Sequence, residues 1–292
     1  MRVLNCVNPG NGLTEDPLYY MHFEDHVDDA RDCYLFMADF YDALYGDDYR
    51  DKERVVLTLE EPNFCTSDRP RIVDLHNNAD QILTLCSYTA ELFDNRTAVF
   101  FPFNERYIPN SESKTVDVAY FGSYPTGYNW ASYVDNVFSK YSYKIGSYTS
   151  GNMQRCSYES KIETLGKSKV AVVHNVCNVY GAHNRYTDFP GGDSNRALTH
   201  LDHNLLPQIK SRTFEAAFSG AVILCQKDHW NVIENFFTPE VDFLYFCDEE
   251  DLAKKIDLVL NDYSSFDSIR QNAFDKAVNN YTVKKFVEKF LS

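Results

Sequence analysis

The sequence lacks closely paired cysteines and long apolar runs, and both absences limit the kinds of protein that it can encode. Its eight cysteines include no Cys-x-x-Cys pair, and several lie inside apolar segments, as Cys225 does after Val-Ile-Leu. Free thiols in a reducing compartment explain this pattern better than disulfides or zinc ligands. No apolar run approaches the ~20 residues that a transmembrane helix needs, and no N-terminal stretch has the form of a signal peptide. We therefore expect a cytoplasmic protein without a membrane span.

Basic residues are scarce as well. The chain has 28 Lys and Arg against 43 Asp and Glu, a formal net charge of −15. Between residues 15 and 61 there are 15 acidic and 4 basic residues, whereas residues 140 to 212 contain 10 basic and 5 acidic ones. An acidic N-terminal surface repels polyanions such as DNA, and the basic stretch could attract a phosphate-bearing small molecule. Two unrelated solvated faces would explain these charges equally well.

Strand and helix patterns alternate along the first part of the chain. Apolar runs predict strands at residues 2–7, 54–59 and 81–86, and the spacing of apolar residues predicts helices at 28–44 and 89–93. Residues 109–114 are polar and rich in turn formers, so we interpret them as a linker. This alternation indicates parallel α/β construction.

The same alternation restarts after the linker. Strands are predicted at 116–121, 143–148, 169–174 and 221–225, and helices at 130–141, 158–165, 212–218, 248–260, 265–279 and 283–291. Residues 180–204 form a long polar loop by the same criteria. We therefore predict two α/β domains, residues 1–112 and 113–292.

The most informative segment runs from Ile209 to Leu224. Lys210 and Arg212 precede Phe-Glu-Ala, a helix then ends at Gly220, and an apolar strand follows. A helix N-terminus at the carboxyl edge of a parallel sheet presents unpaired N–H groups, and two cations there could neutralise a nucleotide diphosphate. Glu215, one turn further on, could accept hydrogen bonds from ribose hydroxyls. A carboxylate favoured only by the helix dipole is the simpler alternative.

This segment resembles the donor-site signature of GT-B glycosyltransferases, and in particular the group 1 family that includes spore-maturation-type proteins. Asp-Glu-Glu-Asp-Leu-Ala from Asp248 and Tyr-Thr-Val from Tyr281 follow in the order typical of that family. The resemblance covers residues 144 to 291. It implies two Rossmann-like domains across a cleft: a short N-terminal acceptor domain and a C-terminal domain for the nucleotide sugar, whose last helix crosses back.

The resemblance also implies an activity and several roles. A hexosyl or pentosyl group would pass from a nucleoside-diphosphate sugar to an acceptor hydroxyl, with Glu215 holding the ribose. Gly10 and Gly12 follow the first strand, where GT-B proteins bring a backbone loop near the diphosphate and acceptor; a simple turn is the alternative. Many retaining relatives carry a second glutamate eight residues before Glu215. Here Pro207 and Gln208 occupy that region, so the stereochemical outcome stays open.

Catalytic residues are less well defined by the sequence. Glu60 and Glu61 end the second predicted strand, and either could act as general base towards an acceptor hydroxyl; we select Glu61. His174 ends another strand at the edge where ligands bind, although a loop carbonyl could equally satisfy it. Nothing in the sequence favours Glu60 or Glu61 as the general base over His22, His26 or Asp16.

Metal and cofactor requirements are expected to be absent. His200 and His203 are too isolated from other ligands to indicate a metal site, and the sequence has no Asp-x-Asp cluster. We therefore expect a metal-independent reaction, with the nucleoside-diphosphate sugar as donor substrate and no further cofactor.

Two alternatives remain at this point. The first is an inverting enzyme similar to α-1,3-fucosyltransferases, which have a comparable order of Phe-Glu-Ala, Gly and apolar strand. The second is a catalytically silent protein that binds sugar nucleotides on the same fold. The acceptor could be a glycan, a protein or a modified DNA base, with DNA disfavoured by the acidic N-terminal half. The oligomeric state is not indicated.

Overall fold

The computed structural model describes residues 1–5, 20–37, 51–58, 76–110, 113–122, 133–147, 154–178 and 205–292. Several residues singled out above lie outside these ranges: Gly10, Gly12, Asp16, Glu60, Glu61, His200 and His203. The roles assigned to them stay predictions.

The described strands are β1 (Arg2–Asn5), β2 (Cys33–Met37), β3 (Glu53–Thr58), β4 (Gln81–Thr84), β5 (Arg96–Ala98), β6 (Val116–Phe121), β7 (Tyr143–Ser147), β8 (Gln154–Arg155), β9 (Ser168–Val173), β10 (Val176–Asn178), β11 (Leu205–Pro207), β12 (Val222–Gln226) and β13 (Leu244–Phe246). The α-helices are α1 (Ser87–Leu92), α2 (Tyr158–Gly166), α3 (Ser211–Phe218), α4 (Glu249–Asn261), α5 (Asp267–Asn280) and α6 (Val283–Phe286). Short 3-10 or π-helical segments lie at Phe23–Asp29, Glu105–Tyr107, Tyr133–Val137, Phe138–Lys140, Val232–Asn235, Tyr263–Phe266 and Val287–Leu291.

The first sheet has five parallel strands in the order β1-β2-β3-β4-β5. The helix predicted at 28–44 is wrong over its described part, because Cys33–Met37 forms β2. All five side chains of β2 are buried. A continuous apolar run is typical of a parallel strand covered on both faces, and it contains the helical spacing by coincidence.

The second sheet has the order β13-β12-β9-β6-β7-β8, again with parallel pairing throughout. Its strands at 116–121, 143–148, 169–174 and 221–225 are confirmed to within about one residue at most ends. β10 and β11 pair antiparallel as a separate ribbon. The single helix predicted at 130–141 is replaced, from Tyr133 onward, by π and 3-10 segments.

The ends of the helices in this half follow from local sequence. α3 ends before Gly220, whose φ of +61° is readily accessible to glycine. Asp248 caps α4 by accepting a hydrogen bond from the N–H of Asp251 at 2.9 Å. The apolar stripe predicted for α4 is buried, as expected: Leu252, Ile256 and Val259.

The C-terminal segment returns to the first sheet, as the resemblance implied. The Arg31 N–H donates to the carbonyl of Leu291 at 2.6 Å, and its guanidinium donates to the carbonyl of Phe290 at 2.9 Å. The same guanidinium binds both carboxylate oxygens of Glu53, at 2.7 and 2.9 Å. Arg31 therefore ties the last turn of the chain to β3 through bidentate and backbone contacts.

Contacts between aromatic rings join α3 to the segment that leaves the first sheet. The rings of Phe103 and Phe218 stack with centroids 4.2 Å apart. Phe100 contacts Phe214 at 6.4 Å and Phe286 at 5.4 Å. These rings bury large apolar areas in preferred geometries, so they hold α3 against both halves of the molecule.

A partly buried lysine closes the C-terminal end of α3. Lys114 Nζ donates to the carbonyl of Ser219 at 3.1 Å, which satisfies one of the terminal carbonyls of the helix. Burial, aided by repulsion from Arg270, lowers the pKa of Lys114 to about 8. Its charged form therefore costs folding free energy in the native state.

Lys114 gives a pH dependence of stability whose sign is unusual for a lysine. Between about pH 8 and about pH 10.4 the unfolded chain still binds the proton that the native chain releases, so the free energy of unfolding rises with pH. We expect this group to contribute about 2 kcal/mol between pH 7 and 10. Urea denaturation of the wild type and Lys114→Met across that range measures the difference. Parallel pH profiles for the two proteins would contradict the assignment.

Candidate functional site

The order of strands in the second sheet identifies where a ligand would bind. From β6 the chain moves outward to β7 and β8, then returns to place β9, β12 and β13 on the other side of β6. The direction of winding thus changes between β6 and β9. In open parallel sheets, ligands bind in the crevice at the carboxyl ends of the strands at such a switch point. Tyr120 lies near the end of β6 and Gly122 directly follows this strand, while His174 and Asn175 follow β9.

Asn175 organises the N-terminus of α3. Its side chain is buried, and its Oδ1 accepts from the Lys210 N–H and the Thr213 hydroxyl, both at 2.9 Å. Its carbonyl accepts from the Gln208 N–H at 2.9 Å. Lys210 is the N-cap residue but makes no side-chain capping bond of its own, and Asn175, just after β9, anchors the start of the helix through the Lys210 N–H and the Thr213 hydroxyl. The positive end of α3 is thereby fixed at the switch point.

Arg212 lies across the carboxyl ends of β6 and β9. Its Nη1 donates to the Tyr120 hydroxyl at 2.7 Å and to His174 Nε2 at 2.8 Å. The Tyr120 hydroxyl is itself 2.9 Å from that nitrogen. The guanidinium also lies 5.2 Å from the centroid of the Tyr120 ring, a cation–π distance. The side chain is therefore held in place before any anion binds.

This arrangement selects one form of His174. A guanidinium only donates, so Nε2 must present its lone pair and the proton of the neutral ring must lie on Nδ1. A protonated imidazole would place two cations 2.8 Å apart and lose this hydrogen bond. His174 is thus bound into the support of Arg212 as a neutral acceptor.

Gly122 makes room for the guanidinium. A Cβ at this position would lie 2.1 Å from Arg212 Nη2 and 2.3 Å from its Cζ, far inside van der Waals contact. The backbone there has φ of +135°, in a region that favours glycine. Two independent constraints therefore require glycine where β6 ends.

Glu215 is fully buried and ion-paired. Its Oε2 lies 2.5 Å from Lys161 Nζ, with side-chain exposures of 0% for Glu215 and 5% for Lys161. Burial lowers the pKa of Lys161, while the charge of Glu215 opposes that change and Arg212 adds to it. The pair joins α2 to α3 in a region from which water is largely excluded, where the loss of either partner is costly.

The second carboxylate oxygen of Glu215 has a different environment. Oε1 is buried and has no hydrogen-bond partner within the described ranges. A buried acceptor without a donor is uncommon in native proteins, and each one calls for an explanation such as a ligand or water. This oxygen lies on the helix whose N-terminus carries Lys210 and Arg212, and that first turn contains no acidic residue.

The segment leading into α3 also contacts the first sheet. The Ile209 N–H donates to the carbonyl of Leu85 at 3.1 Å, and the Cys86 thiol donates to the carbonyl of Pro207 at 3.3 Å. Leu85 and Cys86 follow β4 at its carboxyl end. The approach to α3 is therefore bonded to both sheets.

The structure brings four predicted site residues to one region: His174, Lys210, Arg212 and Glu215. Four more were missed by sequence reasoning: Tyr120, Gly122, Lys161 and Asn175. Gly122 could have been found, since it directly follows a predicted strand. Asn175 adjoins His174 and offered the same signal. Tyr120 and Lys161 carry no local signal, because their roles depend on packing between distant segments.

Neither a membrane span nor a metal cluster is found in the described ranges. Within them, no helix is long and apolar enough to cross a membrane. The same ranges contain no group of three or more His, Cys, Asp or Glu side chains placed to hold a metal ion.

Comparisons with known proteins assign the fold. A crystal structure of Anabaena Alr3699/HepE in complex with UDP aligns over 99% of this chain and 98% of its own, with a TM-score of 0.57 and 10% identity. A glycosyltransferase from Rickettsia africae ESF-5 aligns over 99% and 95%, with a TM-score of 0.55 and 8% identity. An α-glucosyltransferase in complex with UDP-glucose and DNA containing an abasic site aligns over 88% and 78%, with a TM-score of 0.56 and 11% identity. The chain has the GT-B fold, with two parallel-sheet α/β domains.

A family model matches the C-terminal part of the sequence, which is somewhat less than half of the chain. Residues 160–292 match the model of the glycosyl transferase-like family, which confirms the resemblance seen around α3. The narrower likeness to spore-maturation-type proteins stays a prediction. No curated protein matches the sequence significantly.

Proposed function

We propose that this protein is a glycosyltransferase that moves a hexosyl or pentosyl group from a nucleoside-diphosphate sugar to an acceptor hydroxyl, without a metal ion. The nucleotide would lie at the switch point between β6 and β9. Arg212 and Lys210, at the positive end of α3, would stabilise the diphosphate both when bound and as it leaves. Glu215 would hold the ribose.

One observation carries this proposal: a cation and a buried acceptor lie one helical turn apart at the switch point. Arg212 is fixed by three groups before any ligand binds, and preorganised donors are effective in binding a diphosphate. Glu215 Oε1 has no donor among the described residues, and a ribose hydroxyl would supply one. Since Glu215 is fully buried, neighbouring side chains must move to admit that hydroxyl.

The experiment is a calorimetric titration with UDP, the nucleotide bound in the HepE structure. We expect binding to the wild type and at least tenfold weaker binding to Arg212→Gln, because a charge-assisted hydrogen bond contributes roughly 1.5–3 kcal/mol. Gln retains a polar donor towards Tyr120 and His174, so the fold should persist.

The matched control is Arg270→Gln, which removes an arginine of the same domain that pairs with Asp267 instead. It should bind UDP as the wild type does. If the protein binds none of UDP, ADP and GDP, the proposed donor site is wrong. Equal loss in both variants would show that general charge, and no specific contact at Arg212, governs binding.

A catalytically silent sugar-nucleotide-binding protein is the second candidate, and the Lys161–Glu215 pair favours it. A carboxylate already neutralised by a buried lysine has a structural function without any ligand. Release of free sugar from UDP-glucose in the absence of acceptor separates the candidates. Turnover above that of Arg212→Gln supports the enzyme, whereas tight binding without turnover supports the silent protein.

A further inference from the structure

Three buried acceptor oxygens lie where β12 ends. Gln226 Oε1, Asp228 Oδ2 and Asn231 Oδ1 each have no hydrogen-bond partner in the ranges that the structure describes. Gln226 as a whole is only 5% exposed. Nearly all buried polar atoms in native proteins are paired, so three unsatisfied acceptors within six residues indicate that donors come from elsewhere.

The two oxygens of Asp228 have separate surroundings. Oδ1 accepts from the N–H of Trp230 at 2.8 Å and from that of Asn231 at 2.7 Å, which fixes the turn after β12. Oδ2 takes no part in this turn. Burial raises the pKa of Asp228, while the hydrogen bonds from the N–H groups of Asn231 and Trp230 and the nearby His229 oppose the change and Glu234 adds to it. The structural requirement is met by one oxygen, and the other remains as a buried acceptor.

This turn lies beside the candidate donor site. β12 pairs with β9, and Asn175 donates from Nδ2 to the thiol of Cys225 at 3.6 Å. The charge of Asp228 is close enough to Cys225 to add to the increase in its pKa caused by burial. Since Asn175 also binds the Lys210 N–H at the start of α3, one side chain joins that helix to the end of β12, where the acceptors begin.

We propose that Asp228 Oδ2 and Gln226 Oε1 recognise the hydroxyl groups of the transferred sugar, and that this sugar carries no negative charge. The inference rests on the proposed donor site. Sugar hydroxyls can donate hydrogen bonds to these unpaired acceptor oxygens. The carboxylate of a uronic acid would instead be repelled by the negative charge of Asp228.

The test compares UDP with a non-hydrolysable UDP-glucose analogue and with UDP-glucuronate in calorimetric titrations. In Asp228→Asn the turn retains its Oδ1 acceptor, while the unpaired oxygen becomes an amide. We expect unchanged affinity for UDP, about tenfold weaker binding of the glucose analogue, and a smaller preference for glucose over glucuronate. Gln226→Met, which replaces the acceptor with an apolar side chain of similar length, should act in the same direction if Asp228→Asn folds poorly.

Glu234→Gln is the control, because that carboxylate already accepts from the Tyr245 hydroxyl at 2.9 Å. It should leave all three affinities unchanged. If the wild type fails to bind UDP, the donor site itself is wrong. If UDP binds and the Asp228 and Gln226 variants bind the glucose analogue as the wild type does, or lose UDP and the analogue equally, only the sugar-recognition inference is overturned.

Discussion

Replacing Lys161 with Met is expected to lower the free energy of unfolding by about 3–5 kcal/mol. The substitution leaves the carboxylate of Glu215 fully buried without its counter-charge, in a helix packed between both halves of the molecule. Removal of one partner of a buried pair usually costs more than the pair contributed, because the remaining ion is desolvated and uncompensated. Urea denaturation followed by circular dichroism at pH 7 measures the change.

A double variant separates pairing from packing. Lys161→Met combined with Glu215→Leu removes both charges, and we expect it to recover most of the lost stability, so the two effects are strongly non-additive. Lys167→Met serves as control, since Lys167 pairs with Glu163 on the surface next to the same helix and should change stability little. Additive losses in the double variant would show that Lys161 and Glu215 act independently.

The double variant also addresses function, because it restores stability while removing the carboxylate. If Glu215 holds a ribose, the stable double variant should still bind UDP less tightly than the wild type. If Glu215 is only the partner of Lys161, the two should bind alike. The buried pair thus makes Glu215→Ala alone a poor test: any loss of binding there would be confounded by an unpaired lysine in the core.

The fold could be predicted from the sequence wherever one segment contained its own evidence. β6, β9 and β12 are short apolar runs ended by polar or glycine residues, and their bounds were close to those observed. The run at Cys33–Met37 was assigned to a helix, because apolar residues at 33, 34 and 37 satisfy a helical period even when every residue between them is apolar too. A fully buried strand lacks the alternation of apolar and polar residues that would distinguish it from a helix.

The residues of the candidate site could likewise be predicted only where a single segment contained the evidence for them. Lys210, Arg212 and Glu215 can be identified from the sequence because a helix N-terminus, two cations and a carboxylate stand within six residues and resemble the donor-site signature of GT-B glycosyltransferases. The position of Glu215 in the core was not foreseen, since its partner Lys161 comes from another helix and meets it only through packing. Tyr120 was assigned to a strand, and only the strand order places its hydroxyl beside Arg212. Sequence pattern indicated which groups could bind a diphosphate, but not what orients them.

The Gly122→Ala substitution adds a single methyl group, yet we expect it to weaken UDP binding strongly. The new Cβ would overlap the Arg212 guanidinium, 2.1 Å from Nη2, so the arginine must leave its contacts with Tyr120 and His174. Alanine also disfavours the φ of +135°, which costs about 1–3 kcal/mol. We expect UDP binding to weaken at least as much as in Arg212→Gln, with a fall in the free energy of unfolding in addition. Calorimetric titration and urea denaturation measure the two effects.

Gly220→Ala is the matched control, because it isolates backbone strain from displacement of the arginine. Gly220 has φ of +61°, and a Cβ on this residue would meet no atom within 4 Å, so alanine there should cost stability alone and leave UDP binding intact. In the background of Arg212→Gln, Gly122→Ala should weaken binding little further, since the side chain that it displaces is already shortened. If Gly122→Ala weakens binding equally in both backgrounds, the methyl group acts on the ligand or the backbone directly, and the role given to Arg212 at this edge of the sheet is wrong.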